Sequence, residues 1–430
     1  MGEHEQHTSR SCDVPSRTIT RREFLERSVA AAAGIAVLAP GCADGPGAIR
    51  TGCEPPPIAD VPEIPIHEDI RRRVVRVFDP RVSTWDRNVD AYYDFIDLDH
   101  LTAMLDLGVA ELAGAAPPEA WRRLFPVVRS PAEDTIFIKA NFNTDAEPSV
   151  VNTTGQMICA VIRGLVEHCG FAEPNIVVCD PSRGFMGHVG RYCSDRYPDV
   201  RYLHGSEVSY ADLSETSFVF PPEVFLDPPD TDREVAVPRL LIDCDHLVNL
   251  HLLKAHWGVI TGAMKNLFGL TRDVYNTFHG GGAGGWGEWE TSPHVARLVA
   301  QPLVAEKTRL LISEAIFTTN VGAADPPGRP RRPELFRVRG AEQGDVDPRS
   351  VFVSVNPACH DSVLASSYDP WVTCGDSRLD WLRYADRCWG DSARHHDIGV
   401  FELGRFVAGD LTEEDLAFDR IDYRSLCVET

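Results

Sequence analysis

Lysine is rare in this chain, and most of its lysines stand where polar residues follow apolar runs. The 430 residues include 42 lysines and arginines together, of which only Lys139, Lys254, Lys265 and Lys307 are lysines. Unlike arginine, lysine offers a compact point charge and an amine that can lose its proton when it is removed from water. Because Lys139 and Lys254 directly follow apolar runs, the sequence predicts amine chemistry or anion binding there. Chance retention on a solvated surface is the alternative interpretation.

Lys254 and His256 are two residues apart, so they share one face if an extended strand continues that far. A lysine beside a histidine disfavours the imidazolium by charge repulsion, and the neutral ring can act as a base or bind a metal. We expect Lys254 and Lys265 to hold an anion while His256 transfers a proton. Lys265 lies one turn after Thr261, where a predicted helix begins and directs its amide groups towards an anion. A hydrogen-bonded histidine in a packed turn is the alternative for His256.

Polar residues also follow three predicted strands, at 135–139, 175–180 and 239–242. In an open parallel sheet, ligands gather where the strands end at their carboxyl side. We therefore expect Asp180 to orient a partner or a metal near the lysines. Substrate binding is assigned to Lys139, Asn141, Arg183 and Asn266.

A divalent metal is left open by the sequence, because several oxygen and nitrogen donors follow strands. These candidate ligands are Asp180, Asp243, Asp245, His246, Glu314 and His360. No spacing among them is diagnostic, and aspartates after strands cap helices more often than they bind metals.

The cysteine pattern argues against an iron–sulfur cluster in this chain. None of the 12 cysteines forms a C-x-x-C pair, which ferredoxin-type clusters and zinc ribbons require. Cys159, Cys179 and Cys244 lie in apolar contexts, where buried free thiols are expected.

Alternation of strand and helix patterns predicts an α/β fold. A strand at 135–139, a helix at 150–169 and a strand at 175–180 form one parallel unit. Further strands are expected at 74–78, 200–203, 239–242, 246–252, 308–313 and 351–355, and further helices at 98–113, 117–125, 261–268, 293–300 and 360–366. The expected fold is a mixed, mostly parallel sheet flanked by helices, with inserted loops, in a single domain over residues 71–430.

The N-terminus resembles an export signal. Arg21 and Arg22 fall in a twin-arginine motif, and a short apolar stretch over residues 28–39 follows it. Residues 1–41 are expected to be a twin-arginine signal peptide, with lipidation of Cys42 and a flexible tether over 42–70. This places the protein in the periplasm or cell envelope, attached to the membrane only by its N-terminal anchor. An amphipathic N-terminal helix is the alternative.

Two further features bear on ligands. The net charge of −22 repels phosphate backbones, so nucleic acid is not an expected partner, whereas a small anion can still bind where cations concentrate. The glycine-rich segment 279–287 is expected to be a lid that orders on a ligand or a disordered insertion.

Five segments resemble the domain of unknown function 362 family. They are IFIKANFN (136–143), VVCDPSRG (177–184), LVNLHLLKAHWGVITGAMKNLFG (247–269), LLISEAI (310–316) and SVNPACHDSVLASSYDP (354–370). The resemblance implies no settled activity. Some members carry ferredoxin-type modules, which the cysteines here do not match, and Glu314 stands where the family has an aspartate. The residues matching characteristic positions are Lys139, Asn141, Asp180, Lys254, His256, Lys265 and Asn266.

The leading hypothesis is an exported, membrane-tethered enzyme that acts on a small anionic molecule through a lysine, histidine and aspartate site. One alternative is a non-catalytic envelope lipoprotein that binds a ligand or a partner. A second alternative is a redox protein whose cofactor is loaded before export. Whether the protein is catalytic at all, its substrate and its cofactor are left open by the sequence.

Overall fold

A computed structural model describes the core of the chain in several segments. They are residues 70–85, 92–142, 151–184, 187–211, 219–220, 233–234, 236–256, 259–272, 298–299, 301–319, 348–367, 402, 405–406 and 416–428. The predicted signal peptide, Cys42, the tether and the glycine-rich segment 279–287 lie outside these residues.

A nine-stranded sheet forms the centre of the fold, in the order β13-β1-β10-β9-β7-β2-β3-β4 with β8 paired to β7. The strands are β1 Arg73–Phe78, β2 Ile136–Lys139, β3 Ile176–Cys179, β4 Arg201–Leu203, β5 Val219–Phe220, β6 Arg233–Glu234, β7 His246–His256, β8 Val259–Thr261, β9 Thr308–Thr319, β10 Ser350–Ser354, β11 Arg405–Phe406, β12 Leu416–Ala417 and β13 Asp422–Cys427. In this sheet, only β8 and β10 run antiparallel to their neighbours. The prediction of a mixed, mostly parallel sheet is confirmed.

Helices cover both faces of this sheet. They are α1 Leu98–Ala113, α2 Pro117–Leu124, α3 Gly155–Arg163, α4 Gly187–Ser194, α5 Arg239–Asp243, α6 Ala263–Phe268, α7 Pro302–Ala305 and α8 Pro357–Ser367. Thr154 caps α3 by accepting from the amide of Met157, and a π-helical turn, Gly164–His168, continues it. No helix among the described residues combines the length and the apolar character needed to cross a bilayer.

Side-chain alternation along β7 separates two apolar cores. Val248 and Leu250 belong to a core that includes side chains of α1, α2 and α3. Leu247 and Leu253 belong to a second core, which includes side chains of α6 and α8. Although β7 is buried on both faces, 5 of its 11 residues are histidine, asparagine or lysine. Each of these side chains that is buried must find a partner inside the protein.

The predicted strand at 239–242 is wrong, because these residues form the short helix α5. Four apolar or basic residues are too few for periodicity to distinguish strand from helix, and Pro238 precedes the first helical turn. The next strand, β7, therefore begins at His246. Asp245 and His246 consequently lie at the amino end of the parallel strands, away from the end at which Lys139 and Lys254 stand.

Helix α6 is held against α8 by the buried side chain of Asp361, which lies on α8. Asp361 accepts from the amides of Ala263 at 2.6 Å and Met264 at 3.0 Å. A Cβ on Gly262 would stand 2.2 Å from Asp361 Oδ1. The φ of Gly262 is −121°, which any residue adopts, so close approach is what requires glycine here.

Replacing Gly262 with alanine is expected to lower the free energy of unfolding by about 1–3 kcal/mol, because the added methyl overpacks against Asp361. Chemical denaturation of the purified variant measures this loss. In a double-mutant cycle, Asp361→Ala removes the group that the methyl meets, so the cost of Gly262→Ala should shrink in that background. An equal cost in both backgrounds would contradict this account.

Candidate functional site

Two lysines from different strands meet at the carboxyl end of the sheet. Lys139 is the last residue of β2, and Lys254 stands near the end of β7. Both side chains are buried, with 1% and 0% of their surface exposed. They are joined through Asn141 and Asn266, and these four residues are called the lysine–asparagine network below. The structure thus brings together four of the residues that the sequence selected.

Lys139 has the surroundings of an ammonium ion. Its Nζ lies 3.1 Å from Asp180 Oδ2, 3.0 Å from Asn266 Oδ1 and 2.8 Å from the carbonyl oxygen of Ala140. Burial lowers the pKa of Lys139, and the Asp180 carboxylate opposes that shift. Three acceptors, one of them a carboxylate, match the three N–H groups of the charged form. Lys139 is therefore a fixed cation whose donors are fully used.

Lys254 differs from Lys139 in both the number and the charge of its acceptors. Its Nζ donates to Asn141 Oδ1 at 2.6 Å and to the carbonyl oxygen of Val151. In the part of the chain that the structure describes, no carboxylate contacts this nitrogen. Burial and repulsion by Lys139 and Lys265 hold the pKa of Lys254 well below its usual value, although Asp180 opposes them. Two neutral acceptors match the two N–H groups of an uncharged amine, which leaves one lone pair.

Asp180 acts on Lys139 from a closely held position. Its Oδ2 accepts from the amide of Phe142 at 2.9 Å, and its Oδ1 accepts from the amide and the hydroxyl of Ser182 at 3.1 and 2.9 Å. These donors, together with Lys139, occupy both oxygens of the carboxylate. Asp180 therefore holds the ammonium group of Lys139. Its role in orienting a partner or a metal for a reaction stays a prediction.

A chain of amide groups fixes how Asn141 faces Lys254. Asn249 Nδ2 donates to the carbonyl oxygen of Ala263 at 2.8 Å, and Asn266 Nδ2 donates to Asn249 Oδ1 at 2.7 Å. Asn141 Nδ2 then donates to Asn266 Oδ1 at 2.9 Å. In each hydrogen bond of this chain, one amide donates through its nitrogen and the next accepts through its oxygen, which fixes how each side chain is turned. The nitrogen of Asn141 is used by Asn266, so the oxygen of Asn141 faces Lys254. Sequence reasoning missed Asn249, whose signal was an amide within a buried apolar strand.

Glu314 places a second titratable group on the neighbouring strand β9. It stands opposite Leu252 of β7, and its Oε2 accepts from the amide of Thr154 at 3.0 Å, just before α3. Burial raises the pKa of Glu314 to about 7. A carboxyl group of this kind can take up or release a proton near neutral pH.

A histidine pair lies on the face of β7 that also carries Asn249, two residues before His251. His251 Nε2 lies 3.1 Å from His360 Nε2, and His360 Nδ1 lies 2.8 Å from Ser354 Oγ. Burial lowers the pKa of His360 to about 3 and the pKa of His251 well below its usual value. Both imidazoles are therefore neutral, and they connect β7 to α8.

The remaining predicted site residues surround the lysine–asparagine network less closely. Lys265 on α6 is partly exposed and near enough to lower the pKa of Lys254. Arg183 is exposed and follows β3, with Nη1 donating to the carbonyl oxygen of Ser182 at 3.2 Å. The backbone of His256 ends β7 opposite Val259, whereas its side chain lies outside what the structure describes.

The six predicted metal ligands do not come together. At the amino end of the sheet, Asp245 pairs with Arg129, and His246 lies 3.3 Å from Asp134. Glu314 and His360 have the separate partners given above. Among the described segments, no group of three or more histidine, cysteine or acidic residues is placed to hold a metal ion.

The buried thiols behave as expected from their apolar contexts. Cys159, Cys179 and Cys244 are free and buried, which confirms that prediction. Burial raises the pKa of Cys244 to about 12, so this thiol stays protonated and unreactive near neutral pH.

Comparison with models of protein families gives a match. A family model described as "Domain of unknown function (DUF362)" matches residues 136–365, which is just over half of the chain. This range contains every member of the lysine–asparagine network together with Asp180 and Glu314. No curated protein matches the chain.

Glu314→Gln is expected to change how stability depends on pH. The raised pKa means that the folded state binds the proton more tightly than the unfolded state, so wild-type stability falls as pH rises from about 4.5 to about 7. Relative to the variant, the wild type should lose about 2–3 kcal/mol between about pH 5 and about pH 8. Urea denaturation at both pH values measures the difference.

Glu119→Gln on α2 is a matched control, because it makes the same exchange of carboxyl for amide at an exposed position. A Glu314→Gln stability difference that is the same at both pH values would contradict the buried, proton-binding state of Glu314.

Proposed function

We propose that this chain, which belongs to the family described as a domain of unknown function (DUF362), is an enzyme acting on a small anionic molecule. The reaction takes place at the carboxyl end of the sheet, beside the lysine–asparagine network. The single observation that carries this proposal is Lys254, a fully buried amine whose acceptors are two neutral oxygens.

Lys254 serves as a base in this proposal. An amine that is uncharged near neutral pH can accept a proton from a bound substrate, whereas the guanidinium of arginine stays protonated. The sequence suggested that Lys254 holds the anion through its charge. The two neutral acceptors favour proton transfer instead, so the attraction of the anion passes to other groups.

Two cations supply that attraction. Lys265 lies on the adjacent helix and Arg183 is exposed after β3, whereas the charge of Lys139 is balanced by Asp180 and its donors are used within the network. In a protein with a net charge of −22, such a local concentration of cations draws a small anion to one place. His256, two residues after Lys254, remains the proposed partner in proton transfer.

Lys254→Met tests the proposed chemistry. The purified protein is incubated with a panel of small carboxylates and phosphomonoesters; turnover is followed by NMR and binding by calorimetry. Loss of the base should lower turnover by about 10²-fold or more, while binding stays within a few-fold. Wild-type turnover should also fall at low pH, as Lys254 takes up a proton.

Lys307→Met is the matched control, because Lys307 donates to carbonyl oxygens of Leu241 and Ile242 at the amino end of the sheet. This variant should retain both binding and turnover. Lys265→Met should weaken binding of the same anions. If a panel compound binds tightly and is never converted by the wild type, the protein is a non-catalytic binding protein and the enzyme proposal fails.

We further propose that the protein is exported by the twin-arginine route and anchored to the cell envelope through Cys42. The support is the order of features in the sequence, namely Arg21 and Arg22, an apolar stretch, and then a cysteine. A folded α/β core would be carried across the membrane intact and held by the segment 43–70.

Replacing Arg21 and Arg22 together with lysine should leave the protein in the cytoplasm, because the export route reads the arginine pair. Cys42→Ala should leave export intact and release the protein from the membrane fraction. Cell fractionation followed by immunoblotting measures both outcomes. Unchanged membrane association of Cys42→Ala would contradict the lipid anchor.

A further inference from the structure

We propose that Lys254 is a nucleophile that forms an imine with an anionic carbonyl compound of the 2-oxo acid class. This inference rests on the proposed function and specifies the substrate class of the same site. The geometry that carries it is the arrangement of acceptors around two buried amines that are joined through the same two asparagines.

The acceptors around Lys254 fix the direction of its lone pair. Asn141 Oδ1 and the carbonyl oxygen of Val151 each take one N–H group. Asn141 cannot turn to offer a donor instead, because its nitrogen is used by Asn266 Oδ1 at 2.9 Å. With both hydrogens held, the lone pair points away from both acceptors and is free to add to a carbonyl carbon.

Lys139 provides the internal comparison. Its nitrogen has three acceptors, including the Asp180 carboxylate at 3.1 Å, so no lone pair remains when it is charged. A Cβ on Gly269 would stand only 3.0 Å from this nitrogen, so the backbone also closes around it. Of the two buried amines, only Lys254 has the electron pair that the reaction needs.

The substrate class follows from a reaction that a primary amine undergoes and other side chains do not, namely imine formation with a carbonyl compound. A protein with 64 acidic residues and 15 histidines has many side-chain types available for proton transfer alone, whereas imine formation requires a primary amine. Lys265 and Arg183 favour a substrate that carries a negative charge beside the carbonyl. A 2-oxo acid combines both features in the smallest molecule.

The covalent step balances without any oxidant or reductant. The Nζ lone pair forms a bond to the carbonyl carbon, and the two amine hydrogens leave with the carbonyl oxygen as water. A carbon–nitrogen double bond replaces the carbonyl bond. If the imine nitrogen takes up a proton from solvent, its single N–H group can donate to Asn141 Oδ1, so the network accommodates the product.

Reductive trapping tests the proposal on the full-length protein. Pyruvate, glyoxylate, 2-oxoglutarate or 2-oxobutyrate is added with cyanoborohydride, and the adduct is located by peptide mass mapping. At least one probe should label Lys254, and the Lys254→Arg variant should lose that adduct. Lys307, at the opposite end of the sheet, is the internal control and should remain unlabelled under the same conditions.

Formaldehyde with cyanoborohydride controls for access, since it methylates any amine that a small carbonyl can reach. Methylation of Lys254 without an adduct from any of the four probes overturns the proposal. Absence of both reactions at Lys254 overturns it too, because the amine is then closed to carbonyl compounds. If Lys254→Met still abolishes turnover of an anion from the panel, the role of Lys254 as a base stands without the imine.

Discussion

Two buried amines in one hydrogen-bonded network are the constraint on which the rest of the site depends. Moving one ammonium ion out of water is costly, and two close together also repel each other. Among the described residues, one carboxylate, that of Asp180, contacts the network, and it lies against Lys139. In the same part of the chain, the oxygens that Lys254 contacts are neutral. The free energy of the network is therefore lowest when one amine is charged and the other is not. Because the Asp180 carboxylate contacts Lys139, the charge belongs on Lys139.

The asparagines make that assignment specific. A side-chain amide can stabilise either a donor or an acceptor, depending on how it is turned. Here the carbonyl oxygen of Ala263, at the start of α6, orients Asn249, which in turn orients Asn266 and Asn141. The position of α6 thus determines, through three side-chain amides, which atom of Asn141 faces Lys254. This explains why α6 is itself held so tightly by Asp361 and why glycine precedes it.

Sequence reasoning predicted the parts of the fold where the apolar pattern is long and the boundaries are marked. Helix α1 is an example, with Asp97 and Gly114 at its ends, and so is β2 followed by α3 and β3. The apolar pattern did not predict α5, because residues 239–242 are too few to distinguish a strand from a helix. That error moved Asp245 and His246 to the wrong end of the sheet and produced a set of metal ligands that the fold does not assemble.

Within the site, the sequence identified which residue types mattered but not how they differ. Lys139, Lys254 and Lys265 formed one class in the sequence, because each is a lysine retained among arginines. Their distinction depends on acceptors that are far apart in sequence, such as Asn141, which is 113 residues from Lys254. No local pattern encodes how many acceptors a buried nitrogen will have, and that number decides its charge.

The scarcity of lysine now has two separate physical explanations. At Lys139 the need is for a compact charge, since three acceptors converge on one nitrogen and Gly269 leaves no space for a planar guanidinium. At Lys254 the proposed reaction needs an amine that gives up its proton, which arginine cannot do. Arginine would fail at both positions, at the first because of its shape and at the second because of its permanent charge. The presence of lysine at both positions therefore reflects two different requirements. The arrangement of acceptors around each nitrogen distinguishes them.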